Sequence, residues 1–421
     1  MEKVKNVINE KIATPEEILL LTFSKKAAQE IKERIITEMG TVAHDLTAGT
    51  FHSFCLQLLK KYEDEFATHF KFQQFPEVLD EEKKETIIHD ILRSKMHLFQ
   101  GLPVQVIKKM MQGKASFSKI NNQKLAKYNI HEHISSIHDE YLSYKKEHSY
   151  IDYEDMINYT IDLLQNNNLL KDVITSQYRY ILVDEYQDTS QNNFTLLKLL
   201  LPSKKPNLCV VGDDWQSIYA FRNANVDYIV NMHRFFPEHT RHLLKTNYRS
   251  HKEIVNISCS FIKKNRFRTR KTLLSHKGKG GLVNHYGVTS YEEELKLLQS
   301  IVEKKIKNIS QQSCAILYRN NWQGEDIKRK LDPDVISQCS LMTMHASKGL
   351  EFDTVIITGV KDSIIPHAST SLDEERRLFY VALSRAKKNL YIISYQNEQG
   401  ELCKFGKELG VSVKEFKNKI H

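Results

Sequence analysis

The sequence predicts an α/β protein built on parallel sheets and interrupted early by a long helical stretch. Three observations lead there. Short apolar runs recur at Ile18 to Phe23, Tyr180 to Val183, Leu208 to Val211, Ala315 to Tyr318 and Thr354 to Ile357. Their length and all-apolar character are those of strands buried on both faces. Helical patterns separate them, and that alternation implies parallel strands joined by crossover helices. Between residues 59 and about 175 the apolar runs stop, and charged, helix-favouring sequence takes over.

In chain order, Val4, Val7 and Ile8 share one helical face, and Ala27, Ala28, Ile31 and Ile35 form another after the first strand. Residues 1–58 and 176–240 are expected to form a first domain, with 59–175 as a helical insertion and 241–421 as a second domain. A chain of 421 residues can fill two or three such cores. Hydrophobic residues make up 41% and charged residues 27%, an ordinary balance for a soluble globular protein. No apolar run approaches a membrane span, and Met1-Glu-Lys-Val-Lys5 is not followed by a signal-peptide core. The expected compartment is the cytoplasm, with no membrane partner.

The six cysteines at 55, 209, 259, 314, 339 and 403 form no C-x-x-C pair, so reduced thiols are expected rather than zinc or a disulfide frame. His131, His133 and His138 cluster without Cys or acidic partners at ligand spacing and read as solvated side chains. The net charge of +9 permits a polyanionic partner. Its densest patch, Lys263-Lys-Asn-Arg-Phe-Arg-Thr-Arg-Lys271, reads either as a solvated helix end or as a phosphate-tracking surface.

Two segments carry chemistry. Tyr180-Ile-Leu-Val-Asp-Glu-Tyr-Gln-Asp188 is an apolar strand delivering Asp184 and Glu185 to its C-terminal end, where open parallel sheets bind ligands. Phosphoryl transfer to water needs one carboxylate to hold Mg²⁺ and one group to position the water. Asp184 suits the first role and Glu185 the second. Val210-Val-Gly-Asp-Asp-Trp-Gln-Ser-Ile-Tyr-Ala-Phe-Arg222 ends a second strand in acids, then presents Gln216, Tyr219 and Phe221. A glutamine there can sense a terminal phosphate, and the rings can stack bases at roughly 1–3 kcal/mol each.

Seven segments together resemble the UvrD/Rep-type superfamily 1 DNA helicases, in that family's order: Leu21-Thr-Phe-Ser-Lys-Lys-Ala-Ala28, Thr50-Phe-His-Ser-Phe54, Asp184-Glu-Tyr-Gln-Asp-Thr-Ser190, Gly212-Asp-Asp-Trp-Gln-Ser-Ile-Tyr219, Asn247-Tyr-Arg-Ser250, Met342-Thr-Met-His-Ala-Ser-Lys-Gly-Leu-Glu-Phe352 and Glu374-Glu-Arg-Arg-Leu-Phe-Tyr-Val-Ala-Leu-Ser-Arg-Ala386. The wording of the Gly212 segment looks closest to the helicase IV branch. The resemblance implies two RecA-like domains of the P-loop-NTPase type, ATP and Mg²⁺ as cofactors, and single-stranded DNA and ss/ds junctions as partners. It implies Arg249 and Arg385 on the γ-phosphate, Tyr248 on the adenine, and Glu351 with Gly349 near the ribose. It also implies DNA contacts from Phe23, Ser24, Thr50, Phe51, His52, Ser53, His345 and Ser347, besides Tyr219 and Phe221. The activity implied is an ATP-dependent helicase or translocase, usually moving 3′ to 5′, with a role in DNA repair and monomeric action.

One departure stands out. No G-x-x-x-x-G-K-[ST] occurs, and the Gly-Lys pairs at 113–114, 278–279 and 406–407 have neither its spacing nor its following hydroxyl. About twenty residues precede the Leu21 segment, too few for the family's P-loop and its strand. The expectation is a fragment or mis-started frame whose first sheet lacks an internal strand and exposes unpaired edges, with little ATPase activity. The alternative is a single-strand-binding remnant without turnover. The span between Asn247 and Met342 also leaves no room for a large accessory domain, and no nuclease-like acidic motif follows residue 395.

Overall fold

The computed structural model describes residues 2–40, 45–95, 130–202, 206–306 and 313–415, with backbone alone at 130–135, 304–306 and 415. Two compact units emerge from the packing. The first comprises Met1–Gly212 with Phe221–Asn225, and the second comprises Asp213–Ala220 with Val226–His421.

In the first unit, α1 (Glu2–Asn9) buries Val4 and Val7 against Ile18, Leu20 and Ile35. Strand β1 (Ile18–Thr22) is buried at all five positions, as its unbroken apolar run requires. The Ser24 hydroxyl caps α2 (Lys25–Met39) by accepting from the Ala27 amide at 3.2 Å. Next come β2 (Thr47–Thr50), α3 (Phe51–Lys61) and α4 (Glu63–Phe70). The stretch expected to be helical contains α5 (Glu81–Ser94), α6 (Ile130–Glu147), α7 (Tyr153–Asn166) and α8 (Asn168–Gln177), but also a short parallel pair, β3 (Glu77–Val78) with β4 (Tyr150–Ile151). That pair was not legible because two-residue strands carry no periodicity. His138 is exposed, while the side chains of His131 and His133 lie outside the described residues.

Strands β5 (Tyr180–Val183) and β6 (Leu208–Val210), joined through α9 (Gln191–Leu200), complete a four-stranded parallel sheet in the order β2-β1-β5-β6. Leu19 pairs Ile181 and Leu182 pairs Cys209, so the described strands run side by side without a gap. The open backbone edges among them fall on β2 and β6.

The second unit opens with Asp213–Ala220. A boundary near residue 240 would leave this segment with the first domain. Its packing assigns it otherwise, because Trp215 is fully buried among Val255, Cys259, Ile262 and Tyr380. After short helices α10 (Asp227–Val230) and α11 (Met232–Phe235) come β7 (Thr246–Asn247), α12 (Lys252–Ile262) and β8 (Leu274–Ser275). The main sheet then forms from β9 (Leu282–Val288), β10 (Cys314–Tyr318), β11 (Ser340–Thr343), β12 (Phe352–Val360), β13 (Ala386–Tyr395) and β14 (Val413–Glu415). Its order is β11-β10-β12-β13-β9-β14, and every neighbouring pair is parallel. The interleaved helices are α13 (Tyr291–Ile306), α14 (Asn321–Lys330), α15 (Pro333–Ile336), α16 (Leu372–Leu383) and α17 (Lys404–Leu409).

Along β13 the side chains alternate between two cores. Leu390 and Ile392 join Ile254, Phe261, Leu378 and Phe379, whereas Tyr391 and Ile393 join Leu298, Val302 and Ile316. This is the period-two signature of a strand covered by helices on both faces. The α/β class with parallel sheets read from the sequence is thus the architecture of both units.

Candidate functional site

The first unit holds the acidic pair. Asp184 leaves the end of β5 with its amide donating to the Leu21 carbonyl at 2.9 Å, and Tyr186 donates to Val211 at 2.9 Å. Both neighbours of β5 therefore fix where the carboxylates emerge. Glu185 has φ 51° and ψ 40°, the left-handed region that non-glycine residues seldom occupy. Such strain persists where the surroundings hold it, commonly at functional sites. Here the fully buried Gln187 holds it, donating its side-chain amide to the Glu185 carboxylate. Burial, and next the adjacent Glu185 charge, push the Asp184 carboxyl above its ordinary pKa. A half-buried carboxylate beside a second one gains from a cation, so this pair fits a hard divalent ion such as Mg²⁺.

The expected DNA-facing residues of this unit differ in what they are free to do. Ser24 is exposed and Phe23 half-buried. Thr50 and Ser53 form a capping box at the start of α3. The Ser53 amide donates to Thr50 Oγ1 at 3.1 Å, and the Thr50 amide donates to Ser53 Oγ at 2.8 Å. Their hydroxyls thus work on their own helix. Phe51 is buried. His52 is half-buried, edge-on to Tyr153 with ring centroids 5.8 Å apart, and burial lowers its pKa. Sequence reading missed Tyr153, which stands a hundred residues away and outside any motif. Phe221, which packs with the first unit, is 44% exposed beside the Arg222 guanidinium.

The second unit gathers the cationic residues. Arg385 is only 1% exposed. Its guanidinium donates to Val381 O (3.0 Å), Leu350 O (3.1 Å), Ser384 Oγ (3.0 Å) and Gln216 Oε1 (3.1 Å). Arg249 donates to Glu351 Oε2 at 2.7 Å and to the Ser384 carbonyl at 3.4 Å. Lys387 pairs with the other Glu351 oxygen at 2.7 Å. Hydrogen bonds from Lys387 and then Arg249 hold the Glu351 carboxyl below its ordinary pKa. Arg249 and Arg385 thus meet at Ser384, and Arg385 brings in Gln216. Tyr248 is 67% exposed and tilted over His276 at 4.9 Å. Gly349 follows with φ 84°, a turn that a side chain would strain.

Other expected residues lie nearby on this unit. Tyr219 is half-buried under the Lys348 ammonium, 4.7 Å from its ring, and Lys348 also donates to the Gln216 carbonyl at 3.2 Å. His345 is half-buried. Ser347 is fully buried and its hydroxyl donates to the Met344 carbonyl at 2.7 Å, so it locks the turn rather than facing outward.

At the end of the basic stretch 263–271, Lys271 and the Thr269 backbone form a clamp, while Lys263, Lys264, Arg266 and Arg270 are exposed. Lys271 pairs with Asp213 and lies 4.6 Å from the Trp215 ring. The Thr269 amide donates to Asp214 at 2.7 Å, and Trp215 Nε1 donates to the Thr269 carbonyl at 3.1 Å. Gln216 in turn donates to Asp213 at 2.7 Å. Lys271 therefore reaches Gln216 through one shared carboxylate, a link that no local pattern in the sequence could reveal.

Comparison with known proteins decides the family. The model described as the UvrD/REP helicase N-terminal domain matches residues 1–237, more than half the chain. The chain belongs to the UvrD/Rep helicase family. The UvrD-like helicase C-terminal domain matches 242–338 and 332–397. Among curated UvrD/Rep relatives, the ATP-dependent DNA helicase PcrA of Staphylococcus aureus is 30% identical over 334 residues, covering 76% of this chain and 44% of that protein. PcrA of Staphylococcus epidermidis is 29% identical over the same span. The chain therefore spans under half the length of these relatives. A solved C-terminal domain of a possible DNA helicase from Lactobacillus plantarum aligns at 16% identity and a TM-score of 0.28, over 39% of this chain and 94% of that one. Among the described residues of this UvrD/Rep chain, no helix is long and apolar enough to cross a membrane, and no group of three or more His, Cys, Asp or Glu is arranged to hold a metal.

Proposed function

We propose that this chain carries the motor chemistry of an ATP-driven translocase on single-stranded DNA, moving 3′ to 5′ and opening duplex at ss/ds junctions as a cytoplasmic monomer in DNA repair. The observation that carries the reading is the meeting of Arg249 and Arg385 at Ser384, with Gln216 bonded to Arg385 and Glu351 to Arg249. Two guanidinium groups held close together suit a transferring phosphoryl group, whose charge spreads over several oxygens. When bound, Mg·ATP supplies that phosphoryl group. Asp184 would hold the Mg²⁺, and Glu185, in its strained turn, would orient water. Tyr248, already exposed, would stack on a base, while Glu351 and Gly349 would flank the sugar. Phe23, Ser24, His52, Tyr153, Tyr219, Phe221 and His345 would face single-stranded DNA, with Thr50, Ser53 and Ser347 shaping the backbone that meets phosphates.

A second reading is favoured by the absence of G-x-x-x-x-G-K-[ST] from these 421 residues. In it the chain binds single strands without turning over ATP. Phosphate release from the purified chain, with and without single-stranded DNA, separates the two. Stimulated release that disappears in Glu185→Gln while DNA binding persists supports the first. DNA binding with no release supports the second. Absence of both binding and release would sink each of them.

A further inference from the structure

The geometry points to a reversible disulfide between Cys314 and Cys339 that staples the edge strand β11 to β10. Ala315 pairs Ser340 across these parallel strands, and extending that register by one residue sets Cys314 against Cys339. Opposed residues on neighbouring strands sit about 4.8 Å apart, inside the roughly 4.4–6.8 Å window between Cα atoms that a disulfide spans. Both side chains enter the same hydrophobic cluster. The other buried thiols face different groups: Cys55 meets Thr160, Cys259 the Leu273 backbone, and Cys403 the Val360 carbonyl.

The pair is asymmetric. Cys314 is 4% exposed, and its contact with Cys339 and its burial push its thiol well above the ordinary range. Cys339 is partly exposed at the turn after α15. Cys339 is therefore the sulfur a soluble oxidant meets first. With a low-molecular-weight disulfide as oxidant, the Cys339 thiolate displaces one small thiolate and forms a mixed disulfide. The Cys314 sulfur then displaces the second small thiolate from Cys339, and the Cys314 proton leaves with it. Two protein thiols lose two electrons in total, and one small disulfide becomes two thiols.

The position gives the bond its consequence. Among the described residues, strand β11 has β10 as its one neighbour in the sheet and leads directly into Met344, whose amide continues the ladder to Tyr318 at 2.8 Å, and then to His345, Ser347 and Gly349. A covalent tie at the root of β11 holds that segment against local opening.

The test equilibrates the full chain with oxidised glutathione, removes the excess and counts free thiols after denaturation. The count should fall from six to four, with a cross-linked Cys314–Cys339 peptide in a non-reducing digest and full recovery under dithiothreitol. Hydrogen exchange of amides 340–344 should slow in the oxidised form. Cys314→Ser should stop at the mixed disulfide on Cys339, and Cys339→Ser should leave Cys314 unmodified. A pairing among other cysteines, a persistent mixed disulfide on Cys339 of the unsubstituted chain, or six unreacted thiols would each overturn the proposal.

Discussion

Lys271 is one residue whose charge does several jobs at once. It neutralises Asp213 and Asp214, covers Trp215, and through Asp213 sets where Gln216 can swing. Its side chain is only 10% exposed, so its removal strands two acids in a poorly solvated place. Lys271→Ala is expected to lower the stability of the second unit by about 2 kcal/mol, measured as an earlier urea midpoint followed by the emission of Trp215 in a Trp322→Phe background. Lys271→Arg should restore part of it. His285 offers a proton-linked measurement. It is buried with Nε2 2.8 Å from Ser394 Oγ, and burial drops its pKa from 6.5 to about 4. A proton binds the unfolded chain more readily between those values. Stability is thus whole above the unfolded pKa and is lost as pH falls from about 6.5 towards 4, by on the order of 3 kcal/mol. Urea midpoints across that range should show the loss, and His285→Gln should flatten it.

At the scale of elements, three helices of the first unit are anchored by one aspartate. Asp152 caps α7 by accepting from the Glu154 and Asp155 amides at 3.0 and 3.1 Å. It also accepts from Tyr141 at 2.9 Å and pairs with Lys145 and Lys84 at 3.2 Å each. Helices α5, α6 and α7 therefore meet on one carboxylate. Burial raises its pKa, but Lys84 and Lys145 outweigh that and bring it to about 2. Asp152→Ala removes the carboxylate shared by Lys84 and Lys145 together with the α7 cap, and should cost about 3 kcal/mol. Thermal melting followed by circular dichroism is the check, and an unchanged midpoint would show that the three helices do not depend on this junction. Glycine acts at this scale too. Gly359, at φ 68°, interrupts the β12–β13 register, and a Cβ there would meet Gln323 Nε2 at 2.2 Å.

Over the whole molecule, the excess of nine positive charges makes salt the sharpest probe of the DNA reading. If about six phosphates are neutralised, affinity for an oligothymidylate should fall roughly 300-fold between about 50 and 200 mM salt. A flat response in fluorescence anisotropy would remove the phosphate-tracking reading. What was legible from sequence followed the range of the forces involved. Strands β1, β10 and β12 were legible because burial on both faces writes a continuous apolar run, and β5, buried at alternate residues, because its sequence is just as apolar. The acids of β5 were legible because they abruptly end that run. Strands β9 and β11 carry mixed polar sequence, as in Leu282-Val-Asn-His-Tyr-Gly-Val288, and were not singled out. The polar partners of the site were hidden for the same kind of reason. Lys271 with Asp213, Arg249 with Glu351 and His52 with Tyr153 are joined by folding across 58, 102 and about a hundred residues, and separations of that size leave no period to detect.

The burial of Trp215 has a consequence for how the chain can be divided. The indole and the slot that receives it lie on opposite sides of residues 221–225, which pack with the first unit. A gene cut between the two family-matched stretches, after residue 237, therefore separates a plug from its socket. The piece beginning there should be made with an apolar groove lined by Val255, Ile262 and Tyr380, and should self-associate or bind an added peptide of residues 213–220. Two intact copies meeting while partly unfolded could trade plugs in the same way. The segment that orients Gln216 is, in that sense, also the part of this protein most readily lent to another molecule.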